Sequence, residues 1–394
     1  MSPVPVLGEF QYELGLIASD DPYPVYRWMR DNDPAHYSKK EDIWVLSRYE
    51  DVGNAFKDWK TWSSQRRGNL VNDMPERIGN TLGTTDPPVH RWARGVVNKA
   101  FTPGTVAGLE PKIRKLSQEI SAAAKERGQV EFVGDISAPF NAAILGTMFG
   151  VPEADFVQLR HWLDDFFLRE KAEPGKEPKQ QVALRHLRDY MEGLANARRT
   201  KREDDLMTAM LEAEEDGKRL SDHQVVMTSM TFLTAGFEST NNLFTNLVYA
   251  LYLHPQVLEE VKKDLSQVGY LVEEAMRWDA AAQGFVRSPQ IDVDLHSKTI
   301  PAGAQVLLHI GSANRDERQF PDPDRFDIHR PEMRHLGLGQ GPHFCVGAPL
   351  SRSMSYILFE ELIRASDKWE ADLEAALRVT TPNFRGFSKL PLAI

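Results

Sequence analysis

The sequence predicts a mainly α-helical fold with a minor β part. Apolar residues recur at helical spacing over long stretches after residue 88, whereas strand-like alternation is confined to short segments. The 394 residues contain no internal repeat, no low-complexity segment and no Gly/Ser-rich linker that would divide the chain. We therefore expect a single domain that extends over residues 1–394.

The elements of the first half are assigned in chain order from periodicity and from residues that end helices. We expect a short helix at 22–32, a hairpin at 35–47, helices over 88–127 interrupted at Pro103, a helix at 156–171, and a polar segment at 176–202 that begins as a loop and continues as a solvated helix.

The second half contains the longest periodic segment, which begins at the N-cap candidate Ser221 and continues without proline to His254. At about 1.5 Å per residue, this segment predicts a helix of roughly 50 Å. Beyond it we expect a helix at 256–278, an apolar stretch at 280–286, two or three short strands that end near residue 310, an irregular segment at 311–343, and a final helix at 350–364.

The composition is that of a globular protein, with 41% apolar and 26% charged residues, which excludes disordered and collagen-like classes. The formal net charge is −10, so we expect no nucleic-acid partner. No segment reaches the ~18 uninterrupted apolar residues of a membrane helix, and the first ten residues lack the pattern of a signal peptide. We expect a cytoplasmic protein without a membrane partner.

The only cysteine, Cys345, follows the irregular segment, where glycines at 339, 341 and 347 allow a tight turn. A helix that starts just after the cysteine would place its N-terminal dipole near the sulfur and favour the thiolate. One cysteine cannot form an internal disulfide, so Cys345 is a buried small hydrophobe, a reactive thiol or a metal ligand.

This loop resembles that of the cytochrome P-450 family, whose pattern is Phe-x-x-Gly-x-x-x-Cys-x-Gly. The chain matches the pattern at Gly341, Cys345 and Gly347 and has Leu338 where the family has phenylalanine. The resemblance implies one heme b (iron protoporphyrin IX) per chain, with Cys345 as the ligand of its iron. It also implies the family's helical domain, with small antiparallel sheets and a long central helix. Leucine at position 338 is expected to change the surroundings of the iron.

A second motif supports the resemblance. Glu274 and Arg277 match the family's Glu-x-x-Arg, and Arg330 falls where the family supplies the third charge of a buried structural cluster. We interpret this triad as scaffold.

A third motif, residues 235–240, lies in the middle of the predicted long helix and resembles the family's Ala/Gly-Gly-x-Asp/Glu-Thr-Thr. There an acid and a hydroxyl deliver protons for oxygen activation. The resemblance therefore implies Glu238 and Ser239 as the catalytic pair, with Thr240 secondary. Successive helix residues are rotated by about 100°, so the two hydroxyls cannot both point at one ligand.

A fourth group matches the family's contacts to the heme propionates. It consists of His90 and Arg94 in one segment, Arg287 on a predicted strand, and His343 two residues before the cysteine. Cationic and hydrogen-bonding groups balance two carboxylates in an apolar pocket.

The resemblance implies a monooxygenase that inserts one atom of O2 into a substrate by hydroxylation or oxidative demethylation. The substrate pocket would be lined by Ala235, Ala282, Phe285 and Phe384, and by the segment 66–85. The four named side chains are small or aromatic and carry no charge, which favours a compact hydrophobic substrate of aromatic, methoxylated aromatic or terpenoid type.

Electrons must come from outside the chain, because no flavin or iron–sulfur motif is found. The resemblance implies a ferredoxin-type donor with an NAD(P)H-dependent reductase, and we expect the protein itself to be a monomer. Residues 91–99, together with Arg352, are predicted to form a basic patch that attracts an acidic ferredoxin.

Two other functions remain open at this point. A cysteine-nucleophile hydrolase would pair Cys345 with His343, although neighbours in one turn rarely align as nucleophile and base. A nonenzymatic heme or ligand carrier would have no use for the Glu238–Ser239 pair.

Overall fold

The computed structural model describes residues 10–65, 77–168, 177–331, 333–366, 368–380 and 383–394. It is 57% helical, which confirms the predicted fold class. Within the described residues the α-helices are α1 (Tyr23–Asn32), α2 (Tyr49–Lys57), α3 (Val89–Ala100), α4 (Pro103–Arg127), α5 (Ala138–Phe149), α6 (Phe156–Phe167), α7 (Lys179–Thr200), α8 (Leu206–Glu212), α9 (Asp222–Leu253), α10 (Pro255–Lys263), α11 (Val268–Trp278), α12 (Ile310–Ala313) and α13 (Ala348–Ala365). A six-residue π-helix, Phe132–Ser137, leads directly into α5.

The strands are short. They are β1 (Ala35–Ser38), β2 (Ile43–Leu46), β3 (Trp62–Ser63), β4 (Gln129–Glu131), β5 (Glu214–Glu215), β6 (Lys218–Arg219), β7 (Gly284–Pro289), β8 (Val293–Leu295), β9 (Lys298–Ile300), β10 (Val306–His309), β11 (Glu370–Ala371), β12 (Leu377–Arg378), β13 (Phe387–Lys389) and β14 (Pro391–Ala393). The largest sheet has the order β1-β2-β10-β7-β3. The predicted hairpin is its β1–β2 pair, and β10 joins β2 in parallel, so this sheet is mixed.

The predicted long helix is confirmed as α9, which runs through the core. It begins with a capping box, in which the Gln224 amide donates to Ser221 Oγ and the Ser221 amide donates to Gln224 Oε1. It ends at Leu253, because Pro255 starts the next helix. Helices α5, α6, α7, α8 and α11 pack around it, so side chains are buried along most of its length.

Two expectations about helices need correction. The helix predicted at 256–278 is two helices, because Asp264 accepts hydrogen bonds from the main chain and the side chain of Ser266 and so ends α10. Helix α7 is not simply solvated. It buries a stripe of four residues spaced by one turn, Ala183, Leu187, Met191 and Ala195.

One described segment, Phe132–Phe149, is long and apolar enough to cross a membrane by length and composition alone. Its mean hydropathy is 1.2, but 72% of it is buried inside the protein. Such burial is typical of a core helix.

The buried charge triad assembles as its motif predicts. Glu274 and Arg277 have no exposed surface, and both carboxylate oxygens of Glu274 accept hydrogen bonds from Arg277 at 2.7 Å. Arg330 Nε donates to Glu274 Oε1 at 3.0 Å. Arg277 also donates to three carbonyls between residues 314 and 325, so the triad attaches the irregular segment to α11.

Candidate active site

A cavity of about 540 Å3 lies between α9, the cysteine loop and β7. Its volume falls within the roughly 300–1,000 Å3 typical of small-molecule sites. It is lined by the twelve residues that the sequence predicts one by one for the site: His90, Arg94, Ala235, Glu238, Ser239, Thr240, Ala282, Phe285, Arg287, His343, Cys345 and Phe384. The fold therefore brings segments from across the chain to one place.

In the cysteine loop, residues 335–347, the main chain packs closely against the main chain of a neighbouring segment. Gly341 has a φ of +68°, and a Cβ there would lie 2.5 Å from the carbonyl oxygen of Phe56 at the end of α2. The Cys345 amide donates to the Leu338 carbonyl at 2.9 Å, which closes the predicted hairpin-like turn. The side chain at position 338 also lines the cavity.

Several groups act on the sulfur of Cys345. Burial raises the pKa of its thiol, whereas the amides of Gly347 and Ala348 and the charges of Arg94 and Arg352 lower it. The two amides lie at the N-terminus of α13, so the helix end favours negative charge on the sulfur. In the described part of the chain, no group of three His, Cys, Asp or Glu side chains could hold a metal ion.

His90 and Arg287 lie in the cavity wall with unsatisfied polar atoms. Burial, together with the charges of Arg94 and Arg287, lowers the pKa of His90 to about 4, and its Nε2 is buried without a hydrogen-bond partner. Burial lowers the pKa of Arg287 to about 10. Among the described residues its guanidinium has no ion-paired carboxylate and donates only to the carbonyl of the preceding residue. An acceptor in the cavity would satisfy the open positions of these groups, and the two carboxylates of a heme fit them.

His343 differs from His90 because the protein already binds its ring. Its Nε2 lies 3.1 Å from Ser64 Oγ. The centroids of the two imidazole rings are 4.2 Å apart. Burial, with nearby positive charge, lowers the pKa of His343 to about 2. The predicted propionate contact of His343 stays a prediction.

The 235–240 turn of α9 forms another part of the wall. Ala235 is exposed to the cavity, Glu238 and Ser239 are half-buried, and Thr240 is buried. Ser239 Oγ donates to the Ala235 carbonyl at 2.7 Å.

The expected substrate contacts lie on two connected segments. Ala282 and Phe384 form an isolated β-bridge, which ties the stretch before β7 to the C-terminal loop. Phe285 lies on β7 and faces the same cavity. Of the predicted segment 66–85, residues 66–76 lie outside the described residues, whereas residues 77, 78 and 82–84 line the cavity.

Some lining residues were not predicted. Thr228 and Thr231 lie two turns and one turn before Ala235 on α9, and Phe232 lies beside them. Their spacing of three, four and seven residues is the helical signal that identifies this stripe. Ser64, the partner of His343, has no comparable signal.

The predicted basic patch needs correction, because part of its charge is already paired. Both Nε and Nη2 of Arg352 donate to the Glu273 carboxylate, at 2.6 and 2.8 Å. Lys99 forms an ion pair with Glu215. Arg91, by contrast, is exposed on α3.

The arrangement does not support the hydrolase alternative. Within the described residues the His343 ring bonds to Ser64, and no hydrogen bond joins it to Cys345. The pair therefore lacks the contact between base and nucleophile that such a hydrolase needs.

Comparisons with known proteins agree with this geometry. The family model described as Cytochrome P450 matches residues 176–368. The putative cytochrome P450 123 of Mycobacterium tuberculosis is 32% identical over 398 residues, which cover 100% of this chain and 98% of that protein. Cyclomarin C epoxidase CymV of Salinispora arenicola is 36% identical over 337 residues, covering 83% and 85%. The solved structure of CYP109Q5 from Chondromyces apiculatus matches with a TM-score of 0.87 and 31% identity, covering 96% of this chain and 97% of that chain.

Because the fold agrees and a relative above 30% identity aligns over the whole chain, this protein belongs to the cytochrome P450 family of monooxygenases, whose members bind one heme b per chain through a cysteine thiolate.

Proposed function

We propose that this cytochrome P450 hydroxylates or oxidatively demethylates a compact hydrophobic molecule, with Cys345 as the thiolate ligand of its heme. The observation that carries the proposal is the composition of one cavity. It is lined by the only cysteine, by His90, whose buried Nε2 has no hydrogen-bond partner, by the Arg287 guanidinium, which donates to the Val286 carbonyl, and by uncharged small or aromatic side chains. The heme supplies electron transfer and oxygen activation when it is bound.

The residues that would hold the heme interact with the thiolate ligand of its iron and with its two carboxylates. The α13 amides and the positive charge of Arg94 stabilise the thiolate of Cys345. Arg287 and His90 would donate to the heme carboxylates, which would give the buried His90 Nε2 a partner and the Arg287 guanidinium an acceptor beyond the Val286 carbonyl. Arg94 and His343 complete this group.

Glu238 and Ser239 hold and move protons. The Ser239 hydroxyl donates to a helix carbonyl at 2.7 Å, and it can turn toward a ligand in the cavity by rotation of its side chain alone. The neighbouring carboxyl of Glu238 supplies the proton.

Alanine substitutions distinguish the two hydroxyls. Ser239→Ala is expected to leave substrate binding and heme reduction nearly intact while it diverts reduced oxygen to hydrogen peroxide, and Glu238→Gln is expected to slow turnover. The measurement is product formed per NAD(P)H consumed. Normal coupling in Ser239→Ala, with uncoupling in Thr240→Ala, would assign the role to Thr240.

The substrate class follows from the cavity wall. Ala235, Ala282, Phe285 and Phe384 offer no charge, and the same cavity has to hold both the porphyrin and the substrate. Among solved relatives, CYP109E1 from Bacillus megaterium forms complexes with corticosterone and with testosterone. Steroids therefore belong among the compounds to be tested.

Spectral titration tests this class. We expect guaiacol or a monoterpene to convert the heme iron from low to high spin more fully than testosterone or palmitic acid does. Phe384→Ala should weaken binding of the favoured aromatic or terpenoid probe and leave the carbon monoxide spectrum unchanged. A shift with palmitic acid alone would contradict a compact substrate.

We further propose a soluble cytoplasmic monomer that a ferredoxin-type donor reduces through an NAD(P)H-dependent reductase. Arg91 is exposed one turn before Arg94, which donates to the carbonyl of Phe344 beside the cysteine. Arg91→Glu should slow the first electron transfer from a plant-type ferredoxin, whereas Arg325→Glu, at another exposed arginine, should not. The rate should fall as salt rises. A rate independent of salt would contradict electrostatic docking.

A further inference from the structure

Asn141, on α5, bonds to the main chain of α9 directly before the proton-delivery residues. Its Nδ2 donates to the Phe237 carbonyl at 2.9 Å and lies 3.3 Å from the Gly236 carbonyl. The Ala235 carbonyl accepts the hydroxyl of Ser239. Three successive carbonyls of α9 thus accept hydrogen bonds from side chains.

The packing of α5 against α9 places Asn141 next to these carbonyls. Ser137, the last residue of the π-helix, and Asn141 and Leu145 are spaced by four residues, so they share one helix face. A Cβ at Gly236 would lie 3.2 Å from the Leu145 side chain, so the glycine allows this face to approach α9 closely. Short π-helical segments are rare and are frequent at functional sites.

The orientation of the Asn141 amide follows from its partners. Both main-chain partners are acceptors, so the NH2 group has to face α9. Asn241 Oδ1 lies 3.3 Å from the same Nδ2 and also accepts from Ser137 Oγ at 2.7 Å. Asn141 and Ser137 have no exposed surface. A buried amide costs free energy relative to an apolar side chain, and here its donors are used on α9.

The Asn141 amide adds a donor to carbonyls that also belong to the helix. In a regular helix the carbonyls of Gly236 and Phe237 accept from the amides of Thr240 and Asn241. A carbonyl oxygen has two lone pairs, so it can accept from Asn141 as well as from a helix amide. The two contacts attach the turn that carries Glu238 and Ser239 to α5.

We propose that Asn141 is a positioning residue, which holds the 235–240 turn so that the side chains of Glu238 and Ser239 point into the cavity. The proposal rests on the proton-delivery role given above for that pair. Asn141 itself does not line the cavity, so it acts through α9 and not on the substrate.

The first test measures the helix and not the activity. Asn141→Leu removes the donors at nearly constant volume. We expect hydrogen–deuterium exchange of the holoprotein to become at least about threefold faster at the amides of residues 238–242, because an anchor of this turn is lost. Thr147→Val is the matched control on α5, since the Thr147 hydroxyl bonds only to the Ala143 carbonyl of its own helix. It should leave exchange in α9 unchanged.

The second test measures proton delivery without the natural substrate or an electron donor. Cumene hydroperoxide is the probe. It yields cumyl alcohol when its O–O bond breaks heterolytically with proton transfer, and acetophenone when the bond breaks homolytically. We expect Asn141→Leu to lower the alcohol-to-ketone ratio by about tenfold, as part of the ~100-fold that a positioned proton donor supplies. Ser239→Ala should lower it at least as much, and Thr147→Val should not.

Combined variants separate the positioning role of Asn141 from the proton-delivery role of Glu238 and Ser239. In the background of Ser239→Ala combined with Glu238→Gln, Asn141→Leu should change the ratio no further, because it acts through these two side chains. An additive loss, or a wild-type ratio in Asn141→Leu while Ser239→Ala is impaired, would overturn the positioning role and leave the proton-delivery proposal standing. A wild-type ratio in both Ser239→Ala and Glu238→Gln would overturn the proton-delivery pair itself. If Asn141→Leu does not bind heme, Asn141→Ser, whose side chain is too short to reach α9, carries the same expectations.

Discussion

Replacing Arg287 by leucine is expected to stabilise the heme-free protein and to weaken its binding of heme. Arg287 is 5% exposed, and burial lowers its pKa from 12.5 to about 10. At about 1.36 kcal/mol for each tenfold change in proton affinity, burial disfavours the charged guanidinium by about 3 kcal/mol. Leucine removes this cost but loses the contact of the guanidinium with the Phe56 ring, 5.4 Å away. We therefore predict a net gain of about 1–2 kcal/mol in the heme-free protein.

With heme bound the sign reverses, because the substitution leaves a heme carboxylate buried without its charged partner. Removal of one member of a buried pair costs about 3–5 kcal/mol, which weakens heme binding by at least about 100-fold. Urea unfolding of the heme-free protein and heme transfer to excess apomyoglobin measure the two effects, and Arg287→Lys is the control that keeps the charge. A less stable heme-free protein together with an unchanged rate of heme loss would refute the reasoning.

Three further predictions concern the scaffold. Asp279→Asn should lower the free energy of unfolding by about 3 kcal/mol, because Asp279 is 1% exposed and paired with a buried arginine. Asp31→Asn, in a pair that is 44% exposed, should lower it by less than about 1 kcal/mol. Equal losses in urea unfolding would contradict this. Gly341→Ala should lower the melting temperature more than Gly339→Ala. Both glycines have positive φ, but a Cβ at position 341 would lie 2.5 Å from a carbonyl oxygen, whereas the atom nearest to a Cβ at position 339 is 3.7 Å away. Leu338→Phe should change the reduction potential or the rate of heme loss, and identical values would show that the missing ring is unimportant.

Local signals in the sequence account for much of the fold. The start and end of α9 follow from Ser221 and Pro255, because an N-cap and a proline act on their own neighbours. The cysteine loop follows from its glycines in the same way, and the structure shows the close approach at Gly341 that requires one of them. The twelve predicted site residues line one cavity. Most of them were identified by motifs that resemble those of the family, and Ala282, Phe285 and Phe384 by the family resemblance alone.

Features that depend on tertiary contacts were not predicted. The sequence shows no partner for Arg352, because Glu273, to which it donates, lies 79 residues away. The parallel pairing of β10 with β2 likewise joins distant segments. Asn141 is, with Thr147, one of two polar residues in an otherwise apolar helix, and only the packing of α5 against α9 shows which carbonyls it meets.

The most direct measurement is the absorption spectrum of the dithionite-reduced protein with carbon monoxide. The central claim is that the thiolate of Cys345 ligates the heme iron. We predict the red-shifted Soret band typical of thiolate ligation in the wild-type protein, and loss of that band in Cys345→Ala while circular dichroism shows most helices retained. A colourless wild-type protein, or the same band in Cys345→Ala, would contradict the claim.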